Sequence, residues 1–391
     1  MGTQHVSRNV IIVGDSPNKN AGEHHPFTMV DGAIYHTDMV GIDPRASAVN
    51  YGLARISGYG AWRRPEDDTH WMFRPEDHMT RIHQNALAIP VLGDFPSTNM
   101  LVDWSITSLG LGIPHLTRAK DVYGRTLVVQ GGVALGVGTR GHGHVINFTR
   151  DLTEYVPAEG LDLLFPGMLC RRPNIFMGRP FEKAAGNYDL AHFWKGVVAK
   201  GLGFNEILML NWNGTEIAET SGSIPVAIVR LSDKKIQMRV PRLESGRLNS
   251  ITTDTLIYLA HKLGWEVIVN QRLTLDHLIH ADELWVAGSW SGLASVRNIS
   301  LDQRWMREAP ILPPEIFRDG VGPAYKAWLD ENFQPVNARK LGWTPSFAPG
   351  PLGTQLRELY WGVVRNRPEF RRIDRPSNWN VKVNPIVPNT E

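Results

Sequence analysis

The chain has 391 residues, about two to three times the usual length of one domain, so two packed domains are expected. Hydrophobic residues make up 42% of the chain and charged residues 20%, which excludes a disordered, collagen-like or coiled-coil protein. Lys and Arg number 41 against 39 Asp and Glu, and the net charge of +2 gives no field that attracts polyanions. We therefore expect no nucleic-acid partner.

A single cysteine, Cys170, can form neither an internal disulfide nor a zinc site built from thiolates, which fits a reducing compartment. The N-terminal residues lack the basic and apolar regions of a signal peptide, and no apolar run approaches the length of a membrane span. We expect a cytoplasmic protein with no membrane partner.

Residues 1–150 predict an N-terminal domain of mixed helices and strands, since short apolar runs alternate with turn signals and one helical pattern begins with proline. In chain order the predicted elements are a strand at 10–13, a strand at 71–73, a helix over 75–87, a helix over about 98–111 and a strand over 125–130.

Residues 151–182 contain four prolines and few helix signals, which predicts an interdomain connection. Residues 183–333 predict a C-terminal α+β domain. Its predicted elements are a helix over 189–203, an antiparallel meander of strands 206–210, 215–219, 224–231 and 236–240, a helix over 253–264, a strand over 265–269, a helix near 274–281 and a strand over 283–289. Residues 334–391, rich in Pro, Arg and Asn, predict a C-terminal extension in the form of an arm.

Two patterns in the first domain suggest ligands, and neither has the required context. Residues 136–141 (GVGTRG) match the dinucleotide fingerprint, but the fingerprint needs a helix at its third glycine, and the following residues continue as loop or strand. His142 and His144, like His24 and His25, could ligate a metal, yet no carboxylate or cysteine stands at a diagnostic spacing. We expect loop histidines and no metal.

Lys183 precedes two alanines and a glycine in the segment EKAAGNY, just before a predicted helix. Small neighbours let a bulky group approach the amine. A lysine in a confined, partly desolvated site becomes a nucleophile toward carbonyl groups, so Schiff-base chemistry is one interpretation. An ordinary solvated lysine is the other.

Glu219 ends an apolar strand, and a buried carboxylate without a partner is costly, so this group either faces water or pairs with a cation such as a protonated ring nitrogen. Ser250, Thr252 and Thr253 stand where a helix begins and predict either a helix N-cap or a site for a phosphate. The turn AGSWSG at 287–292 places hydroxyl groups between glycines, which suits close backbone approach.

Six short motifs follow one another along the chain: YG at 51–52, HMTRI at 78–82, KAAGNY at 183–188, EIAETSG at 216–222, LNSIT at 248–252 and ADELWVAGS at 281–289. In this order they resemble the fold-type IV pyridoxal-phosphate enzymes, the branched-chain aminotransferase superfamily, over about residues 48–333. The resemblance implies a two-domain α+β fold of the kind found in D-amino acid and branched-chain aminotransferases, with pyridoxal 5'-phosphate as cofactor.

The same resemblance implies roles for individual residues. Lys183 would hold the cofactor as a Schiff base, Tyr188 would bind its phenolic oxygen, and Glu219 would pair with its pyridine nitrogen. The phosphate would be bound by Arg81, Ile251, Thr252 and Ser289.

Several positions depart from the superfamily pattern. The FEG sequence that commonly follows YG is replaced by Ser57–Tyr59, which makes Tyr59 a candidate substrate contact. The glutamate motif continues as SGSIPVAI rather than with the frequent Glu-Asn or Ser-Asn, and Thr253 stands where arginine is frequent. Arg125 lies where some members bind the substrate carboxylate, with Arg140 as an alternative.

The resemblance implies an aminotransferase that moves an amino group from an amino acid or amine to a keto acid. A lyase of the aminodeoxychorismate lyase type has the same fold and cofactor and is the second hypothesis. A non-catalytic binding protein, which would not need Lys183, is the third. A homodimer is expected, because members of the superfamily usually form one.

Overall fold

A computed structural model of the chain describes residues 24–117, 120–133, 136, 138, 140–152, 156–173, 181–305, 321–338, 349–370, 373 and 376–388. The strand predicted at 10–13 and the side chain of His24 lie outside this part of the chain. Within it, no helix combines the length and the apolar character needed to cross a membrane.

The described strands, in chain order, are β1 (His24–Val30), β2 (Ala33–His36), β3 (Ala54–Arg63), β4 (His70–Phe73), β5 (Val91–Leu92), β6 (Val122–Gln130), β7 (Gly141–Asp151), β8 (Leu161–Phe165), β9 (Glu206–Leu210), β10 (Ile217–Thr220), β11 (Ile224–Ser232), β12 (Lys235–Arg239), β13 (Glu266–Ile268), β14 (Glu283–Gly288), β15 (Gly292–Leu301), β16 (Val336–Asn337) and β17 (Asn380–Val383). The α-helices are α1 (Ser47–Asn50), α2 (Pro75–Ala86), α3 (Thr98–Gly112), α4 (Asp189–Phe193), α5 (Ile251–Lys262), α6 (Leu275–Ile279), α7 (Val321–Asn332) and α8 (Pro351–Val364).

The chain divides into two compact units. The first takes its residues from Met1–Tyr155, Lys183–Gly186 and Gly362–Glu391, and the second from Val156–Glu182 and Asn187–Trp361. Both units combine sheets and helices, so the α+β class expected from the sequence is confirmed. The domain bounds drawn from composition stay a prediction.

The first unit is built on an eight-stranded sheet in the order β17-β4-β3-β6-β7-β1-β2, with β5 added to β7. Its long central pairs, β3 with β6 and β6 with β7, are antiparallel. Helix α2 begins at Pro75, because proline fits a first helical turn, and it buries Met79, Ile82 and Ala86 as the sequence pattern predicts. Both helices predicted in this unit are confirmed.

The second unit is built on a nine-stranded sheet in the order β10-β9-β8-β15-β14-β11-β12-β13, with β16 added to β15. The hairpins β9–β10 and β11–β12 are antiparallel as expected. The single meander is wrong, because β10 lies at the sheet edge whereas β11 pairs with β14. Strands β10 and β11 are joined by a tight turn, in which the N–H of Thr220 donates a hydrogen bond of 2.8 Å to the main-chain oxygen of Ser223.

Two proline-rich segments hold more structure than composition predicts. Within 151–182, β8 is a buried strand parallel to both β9 and β15, so this stretch is not only a connection. The arm expected after residue 333 is also wrong: α8 has 14 residues, and β17 pairs antiparallel with β4. Proline and arginine dominate the composition there and conceal the short apolar stretches that form these elements.

Candidate active site

Residues predicted to bind the cofactor occur in both units. Lys183 and Arg81 belong to the first, as do the candidate substrate residues Arg125 and Tyr59. The second unit contains Tyr188, Glu219, Ile251, Thr252 and Ser289. The geometry of each group is described within its own unit.

In the first unit, Lys183 is partly buried and its main-chain oxygen accepts a hydrogen bond of 2.9 Å from the N–H of Ile56 on β3. His78 of α2 is buried, and burial lowers its pKa well below the usual range. The positive charges of Arg81, Arg74 and Lys183 lower it further. His78 is therefore a neutral imidazole close to both the predicted Schiff-base lysine and the predicted phosphate-binding arginine.

The candidate substrate residues of the first unit lie on the paired strands β3 and β6. Arg125 stands opposite Gly58, and its guanidinium donates a hydrogen bond of 2.9 Å to the Tyr123 hydroxyl. A Cβ at Gly58 would come within 2.2 Å of that hydroxyl, so only glycine fits there. The Nε of Arg125 is buried and has no hydrogen-bond partner among the described residues, which leaves it able to receive an acceptor.

Tyr59 is only 2% exposed, and its hydroxyl lies 2.8 Å from the Thr126 hydroxyl and donates to the Asn147 side chain. Burial raises the pKa of Tyr59. These contacts place the ring in the core of the first unit, and its role toward substrate stays a prediction. Arg140, the alternative to Arg125, is exposed.

In the second unit, Glu219 is buried near the end of β10 and has a cationic partner. One carboxylate oxygen lies 3.0 Å from the guanidinium of Arg172, and the other accepts a hydrogen bond of 2.9 Å from the N–H of Leu248. The side chains of Arg172 and Glu219 are 3% and 6% exposed. A buried Glu219 needs a cationic partner, as the sequence indicated, and Arg172 of the same chain is that partner.

The main chain that follows Leu248 leads directly into α5. Ser250 is the N-cap of this helix, and its hydroxyl accepts a hydrogen bond of 3.2 Å from the N–H of Thr253. Ile251 and Thr252 form the first turn, where helix N–H groups have no partner within the helix. The hydroxyl of Thr253 is buried and has no hydrogen-bond partner among the described residues. This end of α5 therefore offers donors to an anion.

Ser289 follows β14 and lies beside the turn that follows Glu219. Ile224 of β11 pairs with Ala287 of β14, and a Cβ at Gly288 would come within 2.8 Å of the Ser223 hydroxyl. The missing side chain at Gly288 thus lets the two turns approach closely. Sheet pairing brings Ser289 to the same end of the sheet as the turn after the glutamate motif.

Tyr188 ends a short 3-10 helix, Ala185–Tyr188, directly before α4. Its neighbour Asn187 donates a side-chain hydrogen bond of 3.0 Å to the main-chain oxygen of Glu182, and Arg172 donates one of 3.2 Å to the main-chain oxygen of Asn187. Sequence reasoning missed Arg172. The sequence indicated only that Glu219 needs a cationic partner. Neither spacing nor composition distinguishes Arg172 from the other arginines as that partner.

The patterns set aside in the sequence have different outcomes. A strand rather than a helix follows the glycine-rich stretch, as expected, but the expectation of loop histidines is wrong, because His24 and His25 lie on β1 and His142 and His144 on β7. Residues 141–151 after the glycine-rich stretch form β7 rather than a helix, so the dinucleotide fingerprint lacks its anion site. His144 pairs with Asp31 at 2.8 Å on the surface. No group of three or more potential metal ligands occurs in the described part of the chain.

Comparison with known proteins gives consistent results. Residues 193–299 match the sequence model of the family described as amino-transferase class IV. The branched-chain-amino-acid aminotransferase of Escherichia coli K12 is 29% identical over 264 residues, which are 64% of this chain and 78% of that protein. Branched-chain amino acid aminotransferase 1, mitochondrial, of Humulus lupulus is 26% identical over 278 residues. This match covers 66% of the chain but only 64% of the hop protein, less than two thirds of its length.

Solved structures show the same fold. The branched-chain amino acid aminotransferase of Thermobaculum terrenum, in its PLP form, superposes with a TM-score of 0.69 at 22% identity, over 93% of this chain and 99% of that chain. The branched-chain aminotransferase of Thermoproteus uzoniensis with norvaline gives a TM-score of 0.69 at 20% identity, over 92% and 100%.

The chain therefore has the fold of the branched-chain aminotransferases, structures of which hold pyridoxal 5'-phosphate or its pyridoxamine form. The match of residues 193–299 to the amino-transferase class IV model and the similarity to the named relatives agree with the superfamily that the sequence motifs resemble.

The residues of the second unit fit this cofactor. A phosphate requires several hydrogen-bond donors. The start of α5 provides them together with the buried hydroxyl of Thr253, which no hydrogen-bond partner contacts within the described part of the chain. A protonated ring nitrogen requires an ionised acceptor, and the guanidinium of Arg172 and the N–H of Leu248 stabilise Glu219 in that form.

Proposed function

We propose that the protein is a pyridoxal-phosphate-dependent aminotransferase that moves an amino group from an amino acid to a keto acid. The buried Glu219 carboxylate, ion-paired with Arg172 beside the start of α5, is the observation that carries the proposal. An ionised acid at this position is needed to keep a proton on the cofactor ring. The relatives in the comparison support the reaction type, since they are named branched-chain aminotransferases.

The predicted residues divide the tasks of the reaction in this proposal. Bound cofactor supplies an aldehyde carbon for the amino group and an electron-withdrawing ring. Lys183 would hold the cofactor covalently until the substrate amine takes its place, and its Nζ would then take the proton from the substrate carbon. Glu219 would hold the proton on the ring nitrogen, and Tyr188 would donate a hydrogen bond to the phenolic oxygen.

Four further residues would fix the cofactor through its phosphate, which keeps the ring aligned while the amine is exchanged. A guanidinium contributes two parallel donors, and a helix N-terminus contributes main-chain donors and a favourable dipole. The proposed phosphate ligands are Arg81, Ile251, Thr252 and Ser289.

A lyase of the aminodeoxychorismate lyase type is the second candidate, and stoichiometry separates the two. We expect the loaded protein, given an amino acid alone, to convert to the pyridoxamine form once and then stop. Addition of a keto acid restores the starting absorbance. Continuous release of pyruvate with no keto acid present would establish the lyase. A panel of L-amino acids, D-amino acids and amines in the same assay identifies the donor.

Arg125 is proposed to bind the substrate carboxylate, because its buried Nε has no hydrogen-bond partner among the described residues and a guanidinium matches a carboxylate with two hydrogen bonds. We expect Arg125→Met to raise KM for amino acid and keto acid by about 10- to 100-fold, the loss of one or two charge-assisted hydrogen bonds. Steady-state kinetics with both substrates measures this effect.

The exposed Arg140 provides the matched control for this prediction, and Arg140→Met should leave both KM values within about twofold. An amine donor without a carboxylate should be used equally well by wild type and Arg125→Met. If Arg125→Met lost the same activity with the amine as with the amino acid, Arg125 would stabilise the fold and would not bind the carboxylate.

We also propose that the protein is a cytoplasmic homodimer that takes an amino donor and a keto acid acceptor as its small-molecule partners. The single buried Cys170 is compatible with a reducing compartment. The expectation of a dimer comes from the superfamily. Light scattering of the purified protein measures the mass, and a monomer with full activity would exclude the dimer.

A further inference from the structure

We propose that Arg172 is a positioning residue for the cofactor ring that acts through Glu219. The inference rests on the proposed function, since it concerns the ring nitrogen of the same cofactor. It adds a residue that none of the sequence motifs contains.

The guanidinium of Arg172 contacts three separate segments of the second unit. Its Nη1 lies 3.0 Å from an oxygen of Glu219 and donates a hydrogen bond of 3.2 Å to the main-chain oxygen of Asn187. Its Nε donates one of 3.3 Å to the main-chain oxygen of Gly246. One side chain therefore links the glutamate at the end of β10, the residue before Tyr188 and the segment that leads to α5.

The main chain at Arg172 is fixed as well. Its N–H donates a hydrogen bond of 2.8 Å to the oxygen of Leu210, the last residue of β9, and the N–H of Leu210 donates one of 3.2 Å to the oxygen of Cys170. These bonds fix the main chain at Arg172 beside the end of β9, and the three contacts of the guanidinium fix the side chain. Glu219 lies on the neighbouring strand β10, so both partners of the ion pair are anchored in one hairpin region.

Charge explains why an arginine is required at this position. A carboxylate buried without a counter-charge is strongly destabilised, whereas a buried pair with further hydrogen bonds is tolerated. A lysine amine is a point charge at the end of a flexible chain and does not reproduce the planar fork that contacts three acceptors.

Arg247, another arginine near Glu219, does not replace this contact. Its guanidinium is buried and donates to the main-chain oxygens of Pro241 and Leu248. Arg247 therefore orders the loop before α5, and Arg172 provides the direct ion pair with Glu219.

The dissociation constant of pyridoxal 5'-phosphate, measured by fluorescence titration of the apoprotein, tests the inference without relying on turnover. We expect Arg172→Met to weaken binding of pyridoxal 5'-phosphate by about 10- to 100-fold, because the substitution removes a hydrogen-bonded charge pair. Arg172→Lys should recover only part of that loss. Arg171→Met is the matched control: Arg171 is exposed and adjacent, and we expect no change in affinity.

A double-mutant cycle with Glu219→Gln distinguishes positioning from general stabilisation. If Arg172 acts through Glu219, Arg172→Met in the Glu219→Gln background should weaken binding by less than about threefold beyond Glu219→Gln alone. Both single variants should shift the visible absorbance band of the loaded protein in the same direction. If Arg172→Met does not fold, the cycle is run with Arg172→Lys, for which the same non-additivity is expected.

Two results would overturn the inference. Losses that multiply in the double variant would mean that Arg172 and Glu219 act independently. An affinity of Arg172→Met equal to that of Arg171→Met would mean that Arg172 has no role toward the cofactor. Wild-type protein that binds no pyridoxal phosphate would reject the proposed function itself, and the inference with it, so the two failures are distinguishable.

Discussion

Replacement of Lys183 by alanine is expected to remove the yellow absorbance band of the loaded protein and to lower kcat about a thousandfold or more. The amine would both hold the cofactor and move the proton, so the substitution removes both functions at once. Spectra of protein reconstituted with pyridoxal phosphate and single-turnover kinetics with an amino acid donor measure the two effects.

Lys200 is the matched control, because it is an exposed lysine in the helical residues that continue after α4. Lys200→Ala should retain the band and the rate. Lys183→Ala should keep the melting temperature of the wild-type apoprotein within a few degrees, since Lys183 is only partly buried. A Lys183→Ala protein that still turned over at the wild-type rate would reject the assignment and favour a different catalytic amine.

The largest effect on stability is expected at Glu283, which caps α8. Its buried carboxylate accepts hydrogen bonds from the N–H of Leu352 at 3.0 Å, the N–H of Gly353 at 2.7 Å and the indole of Trp285 at 3.0 Å. A negative charge at a helix N-terminus is also favoured by the helix dipole. Glu283→Ala leaves these buried donors without an acceptor, and we expect the free energy of unfolding to fall by about 3 kcal/mol.

Urea unfolding followed by tryptophan fluorescence measures this loss. Glu283→Gln, which keeps one acceptor oxygen, should lose less than Glu283→Ala, and Glu358→Ala on the exposed face of α8 should change the free energy by less than about 0.5 kcal/mol. Equal stability of Glu283→Ala and Glu358→Ala would show that the cap contributes nothing.

Local patterns in the sequence predicted much of the fold. Helix α2 carries a first-turn proline and apolar residues at helical spacing, so its start and its buried face followed from the sequence alone. Hairpin β9–β10 is joined by the short turn around Asn211–Gly214, which the chemistry of Asn and Gly favours. Elements of this kind depend on neighbours in the chain, which are visible in one sequence.

Long-range pairing could not be predicted in the same way. Strand β17 pairs with β4, about 300 residues earlier in the chain, and β8 lies between β9 and β15. The sequence of the five residues of β8 does not indicate which strands pair with it. The predicted meander failed for this reason, because β11 pairs with β14, which is distant in sequence.

In the candidate site, too, residues with a local sequence signal were predicted and a residue that depends on a long-range contact was not. Lys183, Glu219 and the start of α5 were found because each carries a local signal: small neighbours, a carboxylate ending a strand and a helix N-cap. Arg172 carries no such signal, since its role depends on a contact with Glu219 across 47 positions of sequence. Only the folded structure brings the two side chains together.

Chemical trapping of the bound cofactor identifies the lysine that holds it. Protein loaded with pyridoxal phosphate is reduced with borohydride, digested and analysed by mass spectrometry. We expect the phosphopyridoxyl label on the peptide that contains Lys183 and its absence from that peptide in Lys183→Ala. A label on a different lysine, or no label on a protein that catalyses amino transfer, would contradict this expectation.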